Sequence, residues 1–195
     1  TYNKKFELSL VIPTCNEKEI IKDSVARIFS NLKEIGIVAE VIVVDDSKDE
    51  TSKILLELSK LNKRLKVIHR KNSQGIGSAI RLGLEKVNGK YVIIFMADAP
   101  DDIKYIPSIL TKLHEGYEIV QTSRFMVGSN TINYPLAKAI TNKLCNYVAR
   151  VFFMRFDLTD FTSAFKGIRT DAIKRLALEA NEFDIGLEIS LKAIR

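Results

Sequence analysis

Residues 6–13 read Phe-Glu-Leu-Ser-Leu-Val-Ile-Pro, and residues 40–44 read Glu-Val-Ile-Val-Val. Runs this short and this apolar, one ending in proline and the other running into Asp45-Asp46, predict buried strands. Between them, Glu17–Gly36 carries Ile20, Ile21, Val25, Ile28, Phe29 and Leu32 at the spacing of an amphipathic helix. The alternation continues outward. A helix is predicted over Asp49–Leu61, with an acidic first turn, and a strand over Leu65–His69. A helix over Ile76–Val87, closed by Asn88-Gly89, and a strand over Tyr91–Met96 follow, then a helix near Asp102–Glu115 and a strand over Glu118–Thr122. Strands and helices alternating through short connections predict an α/β fold, a mostly parallel sheet with helices on both faces.

With 195 residues, 46% of them apolar, the chain is long enough for one domain spanning 1–195 with a core of its own. Nine Gly and four Pro exclude collagen-like and low-complexity classes. Thirty basic against 24 acidic residues leave a charge of +6. That excess suits an anionic ligand or surface and is too small to argue for nucleic acid. Cys15 and Cys145 lie far apart with no metal-binding spacing, as expected of reduced thiols in a cytosolic compartment. The longest apolar run, Tyr91–Ala97, falls far short of the roughly 20 residues a membrane span needs. No signal peptide opens the sequence. A start at Thr1 and an end at Arg195, inside the helix-like run Leu187–Arg195, lead us to expect part of a longer protein.

In parallel sheets ligands bind beyond the carboxyl ends of the strands. Those ends are Pro13–Glu17, Asp45–Ser47, Ala97–Asp102 and Ser123-Arg124, and three of the four carry carboxylates. Neither G-x-G-x-x-G nor G-x-x-x-x-G-K-[ST] occurs; Gly75-Ile76-Gly77 lacks the third glycine, which disfavours a dinucleotide dehydrogenase. Carboxylates at strand ends suit ribose hydroxyls, base edges and a divalent ion carrying a diphosphate. Gly75 and Gly77 fit either a tight turn or close approach of a ligand.

Residues 121–156 contain no Asp or Glu but hold Arg124, Lys138, Lys143, Arg150 and Arg155. Apolar residues recur there at Leu136, Ile140, Leu144, Val148 and Phe152, with Tyr147 and Val151 filling the stripe. Two readings of this amphipathic helix stand at this stage: a stripe packed into the core, or a helix at a membrane interface beside an anionic lipid phosphate.

Taken together, the strand-end segments resemble family 2 glycosyltransferases. Val11–Glu17 (VIPTCNE) resembles the opening I-P-T-Y-N-E, with Cys15 in place of Tyr, and Val43–Ser47 followed by Asp49 and Thr51 looks like V-V-D-D-S-x-D-x-T. Asn72–Ala79 (NSQGIGSA) resembles N-x-G-x-G-x-A, Thr122–Arg124 resembles G-S-R, and Asp160–Phe165 (DFTSAF) resembles D-x-T-S-G-F. Phe183–Leu187 with Glu188 looks like the family's later acidic helix. Within the family the sequence looks most like polyprenyl-phosphate sugar synthases of the dolichyl and undecaprenyl kind, which have a GT-A fold.

The resemblance implies an inverting enzyme with a nucleotide-sugar donor, GDP- or UDP-linked, and a polyprenyl phosphate acceptor at the cytoplasmic face of a membrane. It implies that Pro13, Glu17, Val43 and Asp45 hold the nucleotide, that Asp98 with Ala97 carries the metal (Mg²⁺ or Mn²⁺) and the diphosphate, and that Arg124 and Lys166 meet phosphates. The family's D-x-D is here Met96-Ala97-Asp98, so the first acid is missing, and a thioether is a poor ligand for hard cations. Asp101 and Asp102 are near enough in sequence to compensate, or they cap the following helix. Of Asp45 and Asp46, Asp45 is expected at the ligand and Asp46 in the loop. His69 and His114 read as surface or satisfied histidines. Asp160 is the candidate base of a rival reading in which the acceptor is a saccharide or protein hydroxyl. A third reading, prompted by Met96, is a nucleotide-binding domain without catalysis.

Overall fold

The computed structural model describes residues 6–98, 100–126 and 136–194, with main chain only at 100, 101 and 136–139. The order of elements is β1 (Phe6–Thr14), α1 (Ile21–Glu34), β2 (Ala39–Asp45), α2 (Thr51–Leu61), β3 (Leu65–His69), α3 (Ile76–Glu85) and β4 (Gly89–Ile94). A 3-10 turn (Pro100–Tyr105) leads into α4 (Ile106–His114), followed by β5 (Ile119–Gln121), α5 (Leu136–Phe152), β6 (Lys166–Arg169), α6 (Thr170–Leu176) and α7 (Ile185–Ala193). The strands form one sheet in the order β3-β2-β1-β4-β6-β5. The first four are parallel; β6 runs antiparallel to both β4 and β5.

Side-chain alternation along the strands divides the core. Leu8, Leu10 and Ile12 of β1, with Val41 and Val43, meet Ile21, Val25, Ile28 and Leu32 of α1 and Ile106, Ile109 and Leu113 of α4. On the other face Val11, Val92 and Ile94 meet Ile80 and Leu84 of α3, Ala172 and Leu176 of α6, and Ile185 and Ile189 of α7. Layers on both faces leave only the strand ends open, so both ends are polar for different reasons. At the amino ends lies Glu40, wholly buried. It accepts hydrogen bonds from Ser9 Oγ (2.6 Å), Lys66 Nζ (2.6 Å), and the N–H and Nδ2 of Asn88 (2.5 and 3.1 Å). Burial raises its pKa, but these four donors overcome that and hold the carboxyl below its ordinary range. A buried charge this fully partnered clamps β1, β2, β3 and the turn before β4 together.

Two elements differ from expectation for physical reasons. α1 begins at Ile21 rather than Glu17, because Asn16 adopts a left-handed φ of 56° and Glu17 enters a turn that accepts the N–H groups of Ile20 and Ile21. The strand Lys166–Arg169 is invisible in the sequence: four residues with a charge at each end carry no apolar run. It inserts between β4 and β5.

Candidate active site

The carboxyl ends of β1 and β2 are laced into a single ledge. The Asp46 N–H donates to Thr14 O (3.0 Å), the Asn16 N–H to Ser47 Oγ (2.7 Å), the Lys48 N–H to Asn16 Oδ1 (2.9 Å), and the Glu17 N–H to Thr51 Oγ1 (2.9 Å). Thr14 Oγ1 donates to Glu17 Oε2 (2.6 Å). Burial raises the Glu17 pKa; the Thr14 hydrogen bond opposes the rise, and the charges of Asp98 and Asp45 add to it. Asp45 and Asp98 are therefore both within electrostatic reach of Glu17, on one edge of the sheet.

The two aspartates after β2 are both engaged by the protein. Asp45 is wholly buried, and its carboxylate is enclosed by the Ser47 N–H (3.1 Å), Ser52 Oγ and His69 Nδ1 (2.9 Å). It braces the ledge and presents no open oxygen. His69, opposite Asp45 in the β2–β3 register, is a satisfied histidine with a part-exposed ring. Asp46, 7% exposed, is gripped through both oxygens by Arg70 and accepts from Ser73 Oγ (2.9 Å). Arg70 belongs to no motif; its position one residue past the end of β3 is the signal the sequence offers. Pro13, Val43 and Ala97 have buried side chains, so a ligand can meet them only through main chain.

Gly75 has φ +85°, which L side chains rarely adopt, and a Cβ there would lie 2.3 Å from Asn181 O. At Gly77 a Cβ would lie 2.7 Å from Ala180 O. The chain's own segment 180–182 fills the space over both glycines, and Asn181 O accepts the Ser78 N–H (3.1 Å) at the start of α3. Close approach is real, but of backbone rather than of a ligand.

Across the edge, Arg124 is held by Asp160. Arg124 Nε donates to Oδ2 (2.7 Å), Nη2 to Oδ1 (2.9 Å) and the main-chain N–H to Oδ2 (3.1 Å). Asp160 is wholly buried and also accepts from Thr162 Oγ1 (3.0 Å), the Ser163 N–H (3.1 Å) and Asn146 Nδ2 of α5 (3.5 Å). Burial favours its protonated form, but the Arg124 hydrogen bonds and charge outweigh burial and lower the pKa. A carboxylate so engaged is a poor proton acceptor, so the structure makes Asp160 the anchor of Arg124 instead of the base expected with a hydroxyl acceptor. Lys166 does not offer the direct phosphate contact expected: it is wholly buried, and Nζ donates to Ser163 O, Gln121 Oε1 (3.3 Å) and Phe161 O (3.5 Å), beneath the loop.

Asp98 is exposed beyond β4, with Met96 half-buried two residues before it. The side chain of Asp101 lies outside the described residues, and Asp102 sits half-buried in the 3-10 turn. Among the described residues no three His, Cys, Asp or Glu side chains gather closely enough to hold a metal ion. This donor set fits a cation carried by one carboxylate and a ligand's own phosphate oxygens, and does not fit a cage made by protein alone.

The stripe on α5 faces outward. Ile140, Leu144, Tyr147, Val148, Val151 and Phe152 are between 48% and 78% exposed, while Asn146 and Ala149 point inward. The core-packed reading of that stripe is thereby overturned. No helix among the described residues is long and apolar enough to cross a membrane.

The family model for glycosyl transferase family 2 matches residues 9–177. The chain belongs to that family. It is 30% identical over 188 residues to a dolichol-phosphate mannosyltransferase of Pyrococcus furiosus, covering 95% of this chain and 53% of that protein. It is 26% identical over 195 residues to the glycosyltransferase AglD of Haloferax volcanii, covering 97% of this chain and 31% of that one. The chain thus spans about half or less of the length of these family 2 relatives. Glucosyl-3-phosphoglycerate synthase from Mycobacterium tuberculosis, solved with Mn²⁺, UDP and phosphoglyceric acid, superposes with a TM-score of 0.66 at 20% identity, over 94% of this chain and 62% of that one. TarS of S. aureus superposes at 0.62, also at 20% identity, over 96% and 55%. The fold is GT-A.

Proposed function

We propose that this family 2 domain transfers a hexose, with inversion, from a GDP- or UDP-linked sugar to a polyprenyl phosphate at the cytoplasmic face of a membrane. One observation carries the reading. Arg124 hangs on Asp160, and Asp160 is bonded by Asn146 from α5, whose opposite face is bare, apolar and free of acids. A phosphate on a long apolar chain needs a cationic group at the depth of an apolar surface.

In this mechanism the ledge at Pro13–Glu17 receives the nucleoside, Glu17 through its carboxylate and Pro13, Val43 and Ala97 through main chain. Asp98 would hold a divalent ion, which supplies positive charge to the leaving diphosphate. The phosphate oxygen of the acceptor attacks the anomeric carbon as the bond to the diphosphate breaks, and the nucleoside diphosphate leaves on the opposite side. Arg124 stabilises negative charge on phosphate oxygens. A phosphomonoester, with a second pKa of about 6, arrives already dianionic and needs no base. That agrees with Asp160 being engaged, and it disfavours a hydroxyl acceptor. The exposed, free Cys15 and Cys145 suit a reducing compartment. The test is incubation of labelled GDP- and UDP-sugars with extracted lipids. Label entering the organic phase supports the proposal; label entering only a water-soluble glycan favours a hydroxyl acceptor. Binding of GDP or UDP without turnover favours the non-catalytic reading.

A further inference from the structure

We infer that Lys166 is a positioning residue whose buried ammonium keeps the Arg124–Asp160 pair net positive toward phosphate, without touching the ligand itself. The inference rests on the reading that Arg124 meets a phosphate of donor or acceptor.

The bidentate pair on its own is neutral: the Asp160 carboxylate cancels the Arg124 guanidinium. Lys166 adds the third charge. Its Nζ lies inside the turn formed by residues 161–165, donating to the carbonyls of Phe161 and Ser163 and to Gln121 Oε1. Ser190 Oγ of α7 lies within hydrogen-bond distance of the same Phe161 carbonyl (2.8 Å) and of Gln121 Oε1 (2.9 Å), closing the site from below. Three acceptor oxygens and no water access make a site shaped for a cation, and that cation shapes the loop presenting Asp160. The charged groups acting on it are Asp160 and Arg124; Gln121, Ser163 and Ser190 are neutral. Burial, the largest influence, pushes the ammonium down to about 7; Asp160 opposes the fall and Arg124 adds to it. The cluster therefore carries +1 below neutral pH and is neutral above it.

The experiment is calorimetric titration of wild type, Lys166→Gln and Lys166→Met with GDP-mannose and UDP-glucose at pH 6, 7 and 8. Diphosphate diesters do not titrate in this range, so a pH dependence belongs to the protein. For whichever donor binds, wild-type affinity is expected to fall about ten-fold from pH 6 to 8, the effect of one unit charge at partly buried range. Lys166→Gln keeps N–H donors for the carbonyls but no charge, and is expected to bind with the weak, pH-independent affinity of wild type at pH 8. A Lys166→Gln variant with wild-type affinity and pH profile would overturn the inference. So would a flat wild-type profile, which needs no variant to fold. If neither donor binds, the underlying reading fails and the inference falls with it. Binding with the wrong pH dependence removes the inference alone.

Discussion

Asp160 and Arg124 show how little of a residue's role follows from its type. A carboxylate beside a cleft suggests a base, yet the fork of Arg124 and the N–H of Ser163 leave Asp160 no turn toward substrate. Asp160→Asn keeps the shape and removes the charge, so Arg124 loses its anchor. We expect turnover to fall about 100-fold, the order found when one donor to a developing anion is lost, with a smaller change in donor KM. Steady-state kinetics on the purified domain checks this, and an unchanged turnover would contradict it. Lys166 supplies a pH test independent of ligand. Its folded pKa, about 7, lies below the roughly 10.4 of an exposed lysine. Between these values the unfolded chain holds the proton and the folded one does not. Stability should therefore rise with pH from about 7 to 10 as the cost of burying an ammonium is relieved. Urea midpoints should show that rise in wild type and lose it in Lys166→Met.

At the scale of elements, the two ends of the sheet divide the labour. The amino end is closed by Glu40, and Glu40→Ala leaves Lys66 and Asn88 without their acceptor, at a cost of about 3 kcal/mol. Because the Glu40 pKa is lowered by folding, its contribution is complete above the ordinary carboxyl pKa near 4.3 and is lost as pH falls through the lower folded value. Acid unfolding of Glu40→Gln should lack that part of the slope. The carboxyl end leads instead to α5, whose bare face meets solvent through Leu144, Tyr147, Val148 and Phe152. Lys143→Glu combined with Leu144→Glu should cut partition onto vesicles of phosphatidylcholine and phosphatidylglycerol at least ten-fold. Each cation near an anionic leaflet contributes roughly 1 kcal/mol, and inserted apolar surface adds to that. Sedimentation with vesicles reads the result, and unchanged partition would remove α5 from the membrane.

For the whole molecule, the parallel half was legible because buried strands and amphipathic helices announce themselves through periods of two and 3.6. Phe6–Thr14, Ala39–Asp45 and Leu65–His69 all fall within a residue of their sequence expectation. Lys166–Arg169 was hidden because an inserted antiparallel strand of four residues is specified by its neighbours rather than by its own pattern. The candidate residues were legible as strand-end groups, and their pairing was not. Asp45 and Asp98 both act on Glu17, and the partners that decide the surroundings of the candidate residues come from far along the chain: His69 for Asp45, Asp160 for Arg124, and segment 180–182 over Gly75. The direction in which the α5 stripe faces also depends on tertiary contacts, since amphipathicity alone fits either core or surface.

The proposed joining of a phosphate-binding Arg124 to the apolar face of α5 is best tested by the product's solubility. The domain, wild type and Arg124→Ala, is incubated with GDP-[¹⁴C]mannose or UDP-[¹⁴C]glucose and polyprenyl phosphate in phosphatidylglycerol vesicles, then extracted with chloroform and methanol. Wild type should carry label into the organic phase as an acid-labile lipid phosphosugar, and Arg124→Ala should carry about 100-fold less. Label that stays wholly in the aqueous phase while a soluble saccharide acceptor is glycosylated would contradict it.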